Sequence, residues 1–175
     1  MITGSKIILR SKLLDDALND YAWQTDDELS HLDAARPLDI NFMEYFSVYK
    51  RQLRYPSLIS HQFAIETPDG NHIGNCSFYH FDENKSETEL GIMIGNRHYW
   101  DKCYGTDAIN TLVNHIFSQT SIKHIYLKTL DSNIRAQKCF HKCGFTKYGH
   151  SAMGVYKFTL MEIYRSNWEK QQQKT

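Results

Sequence analysis

The chain has 175 residues, 41% hydrophobic and 23% charged, and its Lys and Arg balance its Asp and Glu to a formal net charge of zero. That length fits one domain with a core that needs no disulfides, and the composition is globular rather than disordered. Zero net charge argues against bulk electrostatic binding to nucleic acid or to an anionic membrane, so neither is expected as a partner.

No run reaches the ~18 apolar residues of a bilayer span, and the opening Met1-Ile-Thr-Gly-Ser-Lys6 lacks the apolar core of a signal peptide. Four cysteines without C-x-x-C spacing predict reduced thiols in a cytoplasmic protein. Cys139 and Cys143 bracket His141, but two small buried residues on one helix face explain that spacing more simply than a metal, and no metal is expected.

Lys6 to Lys12 reads as an opening strand, and Asp15 and Asp16 begin a helix carrying Leu18, Tyr21 and Ala22. Thr25 to Pro37 is polar and loses the helical period, so a loop is expected, with Arg36-Pro37 interrupting any helix there. Asn41-Phe-Met-Glu44 matches a capping box. Phe42, Phe46, Tyr49 and Leu53 then recur on one helix face, and Tyr55-Pro56 closes it.

His61 to Thr67, His72 to Phe81 and Thr88 to Gly95 read as an antiparallel meander. Its first turn, Pro68-Asp-Gly-Asn71, suits a hairpin because Gly70 can take positive φ and Pro68 presets its own. A polar turn is expected over 82–87.

Tyr104 to Phe117 carries an apolar stripe fit to pack on a sheet. A strand from Lys123 to Leu130 follows, then a helix from Asn133 to Cys143 that Gly144 ends at C′. Phe145 to Tyr148 and Val155 to Tyr164 read as closing strands, with a frayed tail after Trp168. The predicted order βααβββαβαββ is an α/β (α+β) fold with a mixed, mostly antiparallel central sheet flanked by helices. It is expected to form one domain over 1–169, with 170–175 a flexible tail.

Chemistry concentrates between Glu89 and Phe145. Gly105 lets backbone approach a bulky ligand where a strand feeds a helix start, and a helix N-terminus favours phosphate. Lys102 can add a point charge. An ordinary tight turn explains a lone glycine equally well. Asn133 begins a second helix directly after a strand, and it reads either as a plain N-cap or as a group facing the same ligand.

Glu89-Leu-Gly-Ile-Met-Ile-Gly95, Tyr99-Trp-Asp-Lys-Cys-Tyr-Gly-Thr-Asp-Ala108, Asn133-Ile-Arg-Ala136 and Lys142-Cys-Gly-Phe145 together resemble the GNAT superfamily of acetyl-CoA-dependent N-acetyltransferases. The likeness is closer to the branch of Rim-type ribosomal-protein and small-molecule acetyltransferases. The motif likeness covers about residues 62–165, and the element order matches along nearly the whole chain.

The resemblance implies acetyl-CoA as cosubstrate and an amine as acceptor. The family's pyrophosphate loop, Arg/Gln-x-x-Gly-x-Gly/Ala, falls on Trp100 to Gly105. Cys103 replaces its first glycine and requires negative φ there. Asp101 replaces another frequent glycine, and its charge would repel phosphate by about 1 kcal/mol at 4 Å in water, weakening cofactor binding. Lys102, Tyr104 and Thr106 belong to the same loop and helix start. Ile92, Met93 and Ile94 would hold the pantetheine arm through their backbone, with an amide near Met93 or Ile94 as oxyanion donor. Asn133 and Ala136 match cofactor-contacting positions.

Glu89 aligns with a general base used by some members, often through water; a strand glutamate in an ion pair is the alternative. Phe140 stands where many members have a general-acid Tyr, leaving Tyr104, Tyr148 and solvent as substitutes. Trp23, Asp33, Arg36, Tyr79, His80 and Tyr156 are candidates for the acceptor pocket, with Asp33 suited to a cationic amine.

The implied function is acetyl transfer to a primary amine of a small molecule or protein N-terminus. A non-catalytic acyl-CoA sensor or interaction module is the alternative. Acceptor identity and acyl length stay open, and so does the choice between monomer and homodimer.

Overall fold

The computed structural model describes residues 1–57, 59–82 and 84–173. Position 83 of the expected turn, and 174 and 175 of the expected tail, lie outside the described residues.

One eight-stranded sheet runs through the molecule in the order β1-β2-β3-β4-β5-β6-β8-β7. Its strands are β1 (Ile2–Thr3), β2 (Ile8–Arg10), β3 (Ser60–Glu66), β4 (His72–Asp82), β5 (Glu87–Ile94), β6 (His124–Leu130), β7 (Thr146–Met153) and β8 (Tyr156–Tyr164). The β5–β6 pair is parallel and the other described pairs are antiparallel. The expected mixed sheet and central meander are therefore present. The opening strand is shorter than expected and pairs with the two-residue β1. The strand expected to end at Tyr148 runs to Met153.

The helices are α1 (Ala17–Gln24), α2 (Asp27–Leu32), α3 (Phe42–Arg54), α4 (Tyr104–Gln119), α5 (Ile134–Lys142) and α6 (Arg165–Gln172). The stripe on α4 is buried as its period requires. Ala108, Ile109, Leu112, Val113, Ile116 and Phe117 join Ile73, Phe78, Leu90, Ile125 and Leu127 of the sheet in the main core. A smaller cluster of Ala17, Tyr45 and Tyr49 joins α1 to α3. The capping box of α3 forms as expected, with Asn41 Oδ1 accepting from Glu44 N at 3.0 Å. Gly70 sits at φ +86° in the first hairpin.

Two helices correct the sequence expectation. Part of the supposed loop over Thr25 to Pro37 is α2, started by Asp26 Oδ1 accepting from Leu29 N at 2.9 Å. Its six residues are too few to display an apolar period. The expected frayed end is α6, which continues through residues 170–172. Tertiary contacts hold it: Arg165 donates to Ile122 O at 2.6 Å and to Phe117 O, and Trp168 Nε1 donates to Asn114 Oδ1 at 2.6 Å. Among the described residues, no helix is long and apolar enough to cross a membrane.

Candidate active site

The site begins where the sheet opens. The β5–β6 ladder pairs Glu87 with His124, Thr88 with Ile125 and Glu89 with Tyr126, and extends no further. β5 continues to Ile94 and β6 to Leu130, so the two strands part and, among the described residues, leave one backbone edge of residues 90–94 without a strand partner. A free edge of this kind can bond an extended ligand as an added strand would.

A cleft of about 770 Å³ fills the opening. Ile92, Met93 and Ile94 line it from β5, Cys103, Gly105 and Thr106 from the start of α4, and Asn133 and Ala136 from the start of α5. Asp33, Tyr79 and Lys128 line its other end. Residues distant in the chain thus meet in one groove.

The turn leading into α4 is strained. Asp101 has φ +56° and Cys103 φ +66°, so the negative φ expected at Cys103 is wrong. Left-handed backbone costs a residue with a Cβ about 1–2 kcal/mol, least where Asp, Asn or Gly occupies it. Alternating left- and right-handed residues turn successive N–H groups toward one point, a concavity suited to an anion. Cys103 provides no side-chain cap, and the first intrahelical bond runs from Asp107 N to Cys103 O at 3.0 Å. The N–H groups of Tyr104, Gly105 and Thr106 therefore lie ahead of the helical ladder. A Cβ on Gly105 would meet the protein no closer than Ile94 Cγ1 at 3.6 Å and Cys139 Sγ at 3.7 Å. Protein packing alone does not demand glycine there.

Trp100 ties this turn to β5, its Nε1 donating to Ile94 O at 2.6 Å. Arg135 stacks on the indole, 3.3 Å from the ring centroid. With Lys138 and Lys142, Arg135 lines the cleft from α5. These three cations were missed in the sequence, although their spacing of three and four residues places them on one helix face. Asn133 is an N-cap, its Oδ1 accepting from Ala136 N at 3.1 Å.

Cys139 lines the cleft, with Sγ 3.3 Å from Thr106 Oγ1. Hydrogen bonding from Cys143, and from Thr106, holds the Cys139 thiol pKa below its ordinary value. The Cys143 thiol is pushed the other way.

Several expected residues lie elsewhere. Lys102 and Tyr104 fall outside the cleft lining; the Lys102 carbonyl accepts from Lys6 Nζ at 3.2 Å, and Tyr104 packs edge-on against Tyr99. Trp23 is buried, stacked near His72 and lying so close over Gly95 that a Cβ there would sit 2.1 Å from the indole. It lines a second hollow beside Asp16 and Arg97. Arg36 is exposed outside the lining. Tyr156 donates to Ala35 O at 3.3 Å, tying the β7–β8 hairpin to the turn after α2.

At the acceptor end, protein atoms crowd the Asp33 carboxyl although the residue keeps much surface open to the cleft. That burial raises its pKa. Glu89 lies behind the lining with its side chain only 6% exposed. Its carboxylate is 3.1 Å from His80 Nδ1 and 3.7 Å from Lys128 Nζ, and Tyr79 is its cross-strand partner on β4. Phe140 is buried at the cleft wall.

The architecture agrees with that of known proteins. The spermidine N-acetyltransferase of Vibrio cholerae, solved with CoA and spermine, superposes with a TM-score of 0.82 at 20% identity, covering 94% of this chain and 99% of that one. An aminoglycoside acetyltransferase solved with coenzyme A gives 0.77 at 20% identity, covering 95% and 99%. At such identities the likeness is one of fold. The uncharacterized N-acetyltransferase p20 of Bacillus licheniformis is 27% identical over 99 residues. That match spans 51% of this chain and about half, 55%, of the relative. The profile of the Acetyltransferase (GNAT) domain matches residues 6–146, and the chain belongs to that family.

Proposed function

We propose that the protein is an acetyl-CoA-dependent N-acetyltransferase that acetylates a primary amine by direct transfer in a ternary complex. One observation carries this reading: a single cleft joins the free edge of β5, the turn before α4 and the start of α5 to an acceptor end bearing Asp33 and Tyr79. The residues fit acetyl-CoA. The N–H groups at Tyr104, Gly105 and Thr106 suit a pyrophosphate, the space above Gly105 admits it, and Arg135, Lys138 and Lys142 offset its charge and that of Asp101. The edge of Ile92 to Ile94 suits the pantetheine amides.

Acetyl-CoA supplies the acetyl group and a thiol leaving group whose ordinary pKa near 8.5 makes strong acid catalysis dispensable. Phe140 therefore does not preclude turnover. Asp33 attracts a cationic acceptor, and Glu89, reached through Tyr79, takes up the proton the amine sheds. Amines with several positive charges, the class to which the spermidine and aminoglycoside enzymes' substrates belong, fit Asp33 best. We assign the chain to the Rim-type and small-molecule branch on the spelling of Trp100 to Gly105, and to the cytoplasm on its free thiols.

Phe140 at the cleft wall favours a second reading, an acyl-CoA sensor without turnover. Calorimetry with acetyl-CoA and thiol release across an amine panel decide between them. Binding with turnover of a polyamine or amino sugar is expected. Binding without turnover on any amine supports the sensor, and no binding at millimolar acetyl-CoA refutes both.

A further inference from the structure

Tyr79 and His80 are consecutive residues of β4, and a regular strand would send their side chains to opposite faces. Both nevertheless reach Glu89. Tyr79 is its cross-strand partner, close enough for the Glu89 charge to act on its hydroxyl, and His80 Nδ1 lies 3.1 Å from Glu89 Oε2. A local break permits this: the β4–β5 register shifts between Tyr79 and Asp82, and His80 is held at φ +54°. Bulges of this kind re-aim side chains, often next to active sites.

Exposure changes along the row. Tyr79 lines the cleft, Glu89 is buried, and the His80 side chain is 63% exposed. Lys128 also contacts Glu89 and is 48% exposed, but an ammonium has no lone pair with which to accept a proton, whereas neutral imidazole has one.

We propose that Tyr79, Glu89 and His80 form a proton exit leading from the acceptor end of the cleft to bulk water, with His80 as the residue that returns Glu89 to its carboxylate form. The proposal rests on the transferase reading above. In the reaction, the amine nitrogen bonds to the acetyl carbon as the carbon–sulfur bond breaks. The ammonium sheds two protons. One ends on the CoA thiol, and the other passes through the Tyr79 hydroxyl to Glu89, then to His80 and from its far nitrogen to water. Burial and the Glu89 carboxylate hold the Tyr79 hydroxyl pKa high, so Tyr79 hands on a proton without persisting as tyrosinate.

The other ionisable neighbours are accounted for. Tyr126 faces Glu89 across the β5–β6 ladder and Tyr148 acts on it from β7. Burial, with the carboxylates adding to it, raises both hydroxyls, which stay protonated. Glu87 is engaged by His124 at 3.4 Å and Lys85 at 3.7 Å. Asp33 faces Tyr79 from the turn after α2.

The test uses His80→Gln, which keeps a hydrogen bond to Glu89, and His80→Gly, which also relieves the left-handed backbone. Both are assayed on the best amine of the panel beside Glu89→Gln. Each His80 variant should lose about tenfold in kcat, less than the hundredfold or more of removing a general base outright. The KM for acetyl-CoA should not change. The rates should become dependent on buffer concentration, the acid limb of the kcat–pH profile should move, and added imidazole should restore His80→Gly. If both variants stay within twofold of the wild type with its pH profile while Glu89→Gln is slow, the exit is overturned and the transferase reading stands. A wild-type protein that binds acetyl-CoA but acetylates no amine overturns both.

Discussion

The indole N–H of Trp100 donates to the carbonyl of Ile94 at 2.6 Å, joining the end of the strand that edges the cleft to the turn that opens α4. Trp100 supplies no charge to this turn, while Arg135 stacked on its ring brings one from α5. Trp100→Phe keeps an aromatic face for Arg135 and removes the hydrogen bond. One such bond contributes about 0.5–1.5 kcal/mol, so acetyl-CoA affinity should fall roughly two- to tenfold by calorimetry.

Asp101 and Cys103 hold left-handed backbone that glycine adopts freely. Asp101→Gly and Cys103→Gly should each stabilise the fold by about 0.5–1 kcal/mol, the left-handed cost less the added chain entropy of glycine. Asp101→Gly should also tighten acetyl-CoA binding, since a negative charge leaves the proposed phosphate site. Urea unfolding and calorimetry read the two effects separately; a destabilised pair would show that the turn needs its side chains.

Gly105 has room for a methyl group within the protein. Gly105→Ala should therefore fold, with stability unchanged or raised by up to about 1 kcal/mol from the better helix propensity of alanine. Acetyl-CoA binding should weaken by an order of magnitude or more. Unchanged affinity in a folded variant would mean that the pyrophosphate lies elsewhere.

Asp33 carries a raised pKa because protein crowds its carboxyl. The folded state thus holds the proton more tightly than the unfolded chain, whose Asp titrates near 3.9. The group's contribution to stability declines as pH rises from that value through the folded pKa. Asp33→Asn should raise the melting temperature at pH 7 and lose that gain in acid. It should also raise KM for a cationic amine and leave acetyl-CoA affinity alone. An unaltered amine KM would remove Asp33 from the acceptor site.

Cys139 has a lowered thiol pKa and lines the cleft, whereas Cys143 is buried with a raised one. Iodoacetamide should alkylate Cys139 well before Cys143, because thiolate is the reactive form. Saturating CoA should protect Cys139. Peptide mass spectrometry follows both sites, and equal labelling with and without CoA would contradict a cofactor lying over α5.

What the sequence determined by itself was local and periodic. The stripe from Ala108 to Phe117, the capping box at Asn41, the hairpin at Gly70 and the four motifs in order were legible because each depends on residues a few positions apart. Tertiary structure decided the rest. The parting of β5 from β6 after Glu89 and Tyr126 is a relation between strands distant in the chain. The left-handed backbone at Cys103 appears only when the turn must reach both Ile94 and α4. Trp23, a plausible acceptor contact as a residue type, is fixed over Gly95 by packing. Glu89 stood out in the sequence as a residue type, but its placement behind Tyr79 and beside His80 depends on a register shift that no spacing announces, because a strand's period gives the face of each residue only while the ladder stays regular.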